Sequence, residues 1–99
     1  MTRDAILARL KAIEPRMRSL GVAALYLYGS YARNEAGPDS DIDLLADFVD
    51  GGDRDIMDFL APYEELEKAF PGMEIGFSTR DRIVAAYRPS IENSAIRIF

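Results

Sequence analysis

Apolar residues of the first twenty positions recur at Ile6, Leu10, Ile13, Met17 and Leu20, a spacing of three and four that puts them on one side of a helix. Thr2 reads as its N-cap, with Asp4 in the first turn. Pro15 interrupts the pattern without shifting it, so the reading is a kinked helix or two abutting helices ending before Gly21. Val22–Tyr28 (VAALYLY) is apolar on both faces and bounded by glycines, as a buried strand would be. Ser30 is placed as the cap of a short helix through about Ala36, and Gly37-Pro38 as a turn. Asp41–Phe48 is predicted as a second strand and Gly51-Gly52 as a loop. A helix capped by Asp53 is expected to run to about Phe70, bent at Pro62 and stopped by Pro71-Gly72. Met73–Phe77 (MEIGF) reads as a third strand, Thr79–Tyr87 as helical with a further turn after Pro89, and Ala95–Phe99 as a terminal strand. The expected fold class is α/β (α+β): one domain, residues 1–99, with a small mixed sheet of about four strands backed by helices.

Composition narrows the chemistry. The chain has 99 residues, no cysteine and no histidine, which excludes disulfides, thiolate catalysis, Cys/His zinc sites and a histidine base. Carboxylates, hydroxyls, Arg/Lys, backbone amides and a hard metal ion remain. A net charge of −5 speaks against a nucleic-acid partner, which wants clustered Lys/Arg. The acids are concentrated: Glu35–Glu67 holds twelve acidic residues and one basic residue, Arg54. That bias is either a solvated acidic face or the surroundings of a cation site. No apolar run approaches a membrane span, and MTRDAILARL lacks a signal-peptide layout, so a cytoplasmic location is expected.

The stretch YLYGSYARNEAGPDSDIDLL concentrates the candidate chemistry. On a strand, Asp41 and Asp43 point to the same face about 6.5–7 Å apart along the chain, while Ile42 and Leu44 face the other way. Adjacent carboxylates repel, and a divalent cation removes the conflict; oxygen-only donors suit Mg²⁺ or Mn²⁺. A solvated strand end would look the same if the pair stood alone. Gly29 allows a sharp turn, and Ser30 at a helix start, with its free N–H groups and hydroxyl, could hold a phosphate. Together the two features suit a magnesium-bound nucleoside triphosphate.

Gly29-Ser30, ten intervening residues and then Asp41-Ile42-Asp43, with Ala32-Arg33 and Pro38-Asp39-Ser40 between, closely resemble the active-site signature of the DNA polymerase β-type nucleotidyltransferase superfamily. The length and the match along nearly the whole chain look most like the minimal nucleotidyltransferases, or MNT antitoxin-like proteins. Asn34 stands where glycine is frequent, and asparagine tolerates a left-handed backbone. The resemblance implies a third carboxylate on the next strand, usually aspartate; the matching position is read as Glu74. Glutamate keeps the charge and reaches one methylene further, in a kind of site where small displacements are costly. The implied site is therefore Asp41, Asp43 and Glu74 as catalytic and metal-binding residues, with Gly29, Ser30 and Arg33 on the nucleotide. Arg80, Arg82 and Arg88 read as surface residues, Tyr26 and Tyr28 as core, and Tyr31 as the more exposed tyrosine.

The activity so implied is Mg²⁺-dependent transfer of AMP from ATP to a protein hydroxyl. The partner the resemblance implies is a HEPN-domain ribonuclease toxin, silenced on a tyrosine. Two rival readings stay open. One is an interaction subunit that masks its partner with a weakened nucleotide site, favoured by Glu74. The other is a small-ligand or metal-binding module without transfer chemistry.

Overall fold

The computed structural model describes residues 2–37, 40–49, 56–79 and 95–99. Among them the chain runs α1 (Arg3–Ala12), α2 (Glu14–Ser19), β1 (Val22–Tyr28), α3 (Gly29–Ala32), β2 (Ile42–Phe48), α4 (Ile56–Ala69), β3 (Ile75–Thr79) and β4 (Ile96–Arg97). The leading segment is two abutting helices. The Thr2 hydroxyl accepts the Ala5 N–H at 3.1 Å and so satisfies one free donor of α1. Pro15 falls in the first turn of α2, where a missing N–H leaves no helical bond unmade. Ile6, Leu10 and Met17 are fully buried.

The sheet has the order β3-β2-β1-β4. β1 is antiparallel to both β2 and β4, whereas β2 and β3 are parallel, so the sheet is mixed. β1 and β2 are the two central strands, and this accounts for their apolar residues on both faces. Leu25, Leu27, Ile42, Leu44, Leu45 and Ala46 all have 1 % exposure or less. β1 spans the residues predicted for it, and β2 starts one residue later than predicted. β3 is shifted two residues along, to Ile75–Thr79. Met73 belongs to the turn that leaves α4, its N–H donating to the Phe70 carbonyl, and the ladder to β2 opens with Ile42 N–H on the Glu74 carbonyl at 3.0 Å. Thr79 is therefore strand rather than helix. The predicted loop at Gly51-Gly52, the Asp53 cap, the rest of the 79–87 helix, the turn after Pro89, and Arg80, Arg82 and Arg88 lie outside the described residues.

Basic side chains of the leading helices fasten the sheet's far edge. The Arg18 guanidinium donates to the Ala23 carbonyl and lies 4.9 Å from the Phe99 ring centre, and Lys11 donates to the Ile98 carbonyl. Backbone bonds from Leu25 N–H to Phe99 and from Ile98 N–H to Leu25 prolong the β1–β4 pairing beyond the two residues of β4. Arg9 caps the end of α4 through the Ala69 carbonyl. No helix among the described residues is long and apolar enough to cross a membrane.

Candidate functional site

β1 ends at Tyr28, and the backbone turns at Gly29 with φ +76°, a left-handed conformation natural to glycine. The helix that follows is a single four-residue turn, shorter than the predicted run to Ala36. Tyr28 occupies the cap position and Ser30 lies inside the turn, so Ser30 does not cap it through its side chain. No hydrogen bond to the Ser30 hydroxyl is made among the described residues. The turn closes through Arg33 N–H to Gly29 and Glu35 N–H to Ser30 at 2.8 Å. Asn34 then adopts φ 58°, as its substitution for a glycine implies. Asn34→Val is expected to lower stability by about 1–2 kcal/mol in thermal melts, the cost of a β-branched residue there, while Asn34→Gly stays within about 0.5 kcal/mol of wild type.

The same turn swings Tyr31 inward. Tyr31 is 5 % exposed and packs in the core, which corrects the expectation that it is the accessible tyrosine. In a helical turn each residue rotates about 100°, so the neighbours of a surface serine need not share its exposure.

β2 brings the two aspartates to this turn. Asp43 is the cross-strand partner of Tyr28 on β1 and of Gly76 on β3, so the three share one face of the sheet. Its carboxylate lies in a notch between two glycines. A Cβ at Gly29 would run into Oδ2, and one at Gly76 would stand 2.8 Å from Oδ1. Burial, reinforced by the charge of Asp41, holds the Asp43 carboxyl above the ordinary carboxylate range, with Arg33 pulling the other way. Burial and the Asp43 charge likewise push the Tyr28 hydroxyl up. Asp41, exposed and just ahead of β2, is close enough for its charge to act on Asp43. No hydrogen bond or ion pair to either carboxylate comes from the described residues. A half-buried carboxylate beside a second anion, without donors, presents oxygens suited to a hard cation.

The other predicted residues lie around this centre. Arg33 is half exposed, pairs with Glu35 at 3.2 Å, and is close enough to influence Asp43. Glu74 is exposed and precedes β3, one pair further out than Gly76. Among the described residues no three Asp, Glu, His or Cys side chains are gathered as a metal cluster. The structure thus brings Gly29 and Asp43 together, with Ser30 in the same turn and Asp41 and Arg33 within electrostatic reach of Asp43, and leaves Glu74 exposed ahead of β3.

The comparisons with known proteins bear on the fold and the family. The family profile for the nucleotidyltransferase domain matches residues 10–98. The chain belongs to the nucleotidyltransferase family. A protein of Methanocaldococcus jannaschii provisionally named a protein adenylyltransferase is 33% identical over 88 residues, 89% of this chain and 91% of its own. A solved structure provisionally described as a minimal nucleotidyltransferase superposes with a TM-score of 0.80 at 28% identity, covering 97% of this chain and 95% of that one. A chain of a toxin-antitoxin crystal structure with AMP-PNP shares the fold at TM-score 0.64 and 16% identity, covering 100% of this chain and 73% of its own.

In this nucleotidyltransferase one residue beside Asp43, Gly76, escapes the linear motif. It reaches Asp43 through strand pairing. The only trace in the sequence is that Gly76 lies two positions beyond Glu74 and so shares its face.

Proposed function

We propose that this nucleotidyltransferase, as one domain over residues 1–99, transfers AMP from ATP to a hydroxyl of a protein partner. The observation that carries the reading is the Asp43 carboxylate, seated in the glycine notch at the Gly29 turn with Asp41 beside it. The donor set fits a divalent cation: Asp41 and Asp43 would hold Mg²⁺, or Mn²⁺, with Glu74 reaching in from the rim. When bound, the ion supplies charge neutralisation at the phosphates. Gly29 and Ser30 hold the β- and γ-phosphates through backbone N–H groups and the Ser30 hydroxyl, with Arg33 adding charge. The acceptor oxygen forms a bond to the α-phosphorus as the bond to the bridging oxygen breaks. Pyrophosphate leaves, and the acceptor proton passes to a site carboxylate or to water.

The partner inferred from the family resemblance is a HEPN-domain toxin, and the likeness to a toxin-antitoxin chain supports it at the level of fold. Such a pair would meet in the cytoplasm, where ATP is available. A second reading, a subunit that masks its toxin without chemistry, is favoured by the absence of a gathered carboxylate trio among the described residues. Incubation with α-labelled ATP, Mg²⁺ and a HEPN-domain protein encoded beside this gene separates the two. Label on the partner, lost in Asp41→Asn, supports transfer. A stable unlabelled complex, indifferent to that change, supports masking.

A further inference from the structure

The pairing of β2 with β3 determines which side chain on β3 can stand beside Asp43. Asp43 is level with Gly76 and Ile42 with Ile75. Paired residues of neighbouring strands project to the same face, so a donor on β3 at the depth of Asp43 has to come from position 76. That residue has no side chain. Glu74 lies two residues, roughly 6.5 Å, before Gly76, ahead of the start of β3, and is exposed. It meets the site at the level of Asp41.

The bare backbone at Gly76 is occupied by Asp43 itself, whose Oδ1 lies 2.8 Å from where a Cβ would be. The contacted atom is the free end of a side chain and can swing. Gly76 also has none of the positive φ that constrains Gly29, so a side chain at 76 is compatible with the strand. Glycine inside a strand is moreover the weaker choice for stability. Packing alone therefore gives no reason for it, whereas the seat of Asp43 does.

We infer that residue 76 is the position that sets how tightly this site holds a divalent cation: as glycine it leaves Asp41 and Asp43 as the inner carboxylates, with Glu74 joining from outside. The inference rests on the reading of the site as a cation-nucleotide centre. It makes position 76 a positioning residue for Asp43 in the natural chain and a latent ligand position when substituted. A methyl group at 76 displaces Oδ1 without offering a donor, so cation affinity falls. A carboxylate at 76 displaces it equally but adds two oxygens at the same depth, so affinity rises.

The experiment is calorimetric titration with Mn²⁺, alongside thermal melts, on wild type, Gly76→Ala, Gly76→Asp, Glu74→Gln and Asp43→Asn. Gly76→Asp is expected to bind Mn²⁺ at least about tenfold tighter than wild type, and Gly76→Ala several-fold weaker, of the order seen when groups that orient ligands are changed. Glu74→Gln is expected to change affinity less than either. Gly76→Asp should also melt lower without metal, because three anions crowd one face, and recover on adding Mn²⁺. A purely structural glycine would give Ala and Asp variants that move together. Equal Mn²⁺ affinities for those two, or a larger loss in Glu74→Gln, overturns the inference while loss of binding in Asp43→Asn keeps the functional reading intact. Wild-type binding that Asp43→Asn leaves unchanged overturns both. Binding seen in Gly76→Asp and absent from wild type supports the inference.

Discussion

Asp43→Asn is expected to reduce transfer by at least 10²–10³-fold, the order seen when one preorganised charge partner is removed, and at the same time to raise the melting temperature of the ligand-free protein. The two effects share a cause. Burial and the neighbouring Asp41 hold the Asp43 carboxyl above its ordinary value of 3.8. A group whose pKa is raised on folding contributes stability that is fully present below its unfolded pKa and is lost as pH rises through the folded one. At neutral pH the ionised carboxylate is therefore a burden on the fold, which the amide removes. Solvent screens much of this in a half-buried group, so the gain is on the order of 0.5 kcal/mol, or roughly 2–4 °C. Melts run from pH 7 downward should show the advantage of Asp43→Asn shrinking as wild-type Asp43 takes up its proton. Mg²⁺ with nucleotide should stabilise wild type and leave the variant unmoved. Equal melting temperatures at pH 7 would mean that the notch does not strain the carboxylate.

Gly29→Ala should be as inactive as Asp43→Asn and opposite to it in stability. A Cβ there meets the Asp43 carboxylate, and the backbone at φ +76° strains any L side chain. The backbone term alone is about 1–2 kcal/mol, or roughly 4–16 °C in a domain of this size. The clash cannot be relieved by moving the glycine, because the turn is closed by the Arg33 N–H bond to the Gly29 carbonyl. Asp43 must yield, and with it the place proposed for the cation relative to the phosphates. Ser30→Ala, which removes a hydroxyl and leaves the backbone amides, should keep the wild-type melting temperature within about 2 °C and weaken ATP binding about three- to tenfold, the worth of one hydrogen bond. Near-wild-type transfer by Gly29→Ala in a coupled assay would show that Asp43 does not need its seat.

The features legible in the sequence are those set by near neighbours. VAALYLY announces a doubly buried strand by its lack of alternation and its flanking glycines, and Thr2 and Pro15 mark helix starts by their own hydrogen-bonding chemistry. The backbone of Asn34 follows from its tolerance of positive φ. What escaped depends on partners far along the chain. The start of β3 moves from Met73 to Ile75 because the ladder begins where the Ile42 amide finds the Glu74 carbonyl. Tyr31 is buried because a one-turn helix leans on β1 and β2, which its local sequence does not record. Gly76 reads as an incidental strand glycine until the register sets it against Asp43. The motif thus names the donors on its own segment, and only the sheet tells which residue of the next strand faces them.

The central claim is that the Gly29–Ser30 turn and the Asp41–Asp43 pair form one pocket for a cation and a triphosphate tail. Crystals grown with Mn²⁺ and a non-hydrolysable ATP analogue, with anomalous data collected at the manganese edge, test it most directly. The account predicts a manganese peak within coordination distance of carboxylate oxygens of both Asp41 and Asp43, with the β- and γ-phosphates over the Gly29–Ser30 backbone. Nucleotide bound elsewhere on the protein, or a manganese peak that touches neither aspartate, would contradict it.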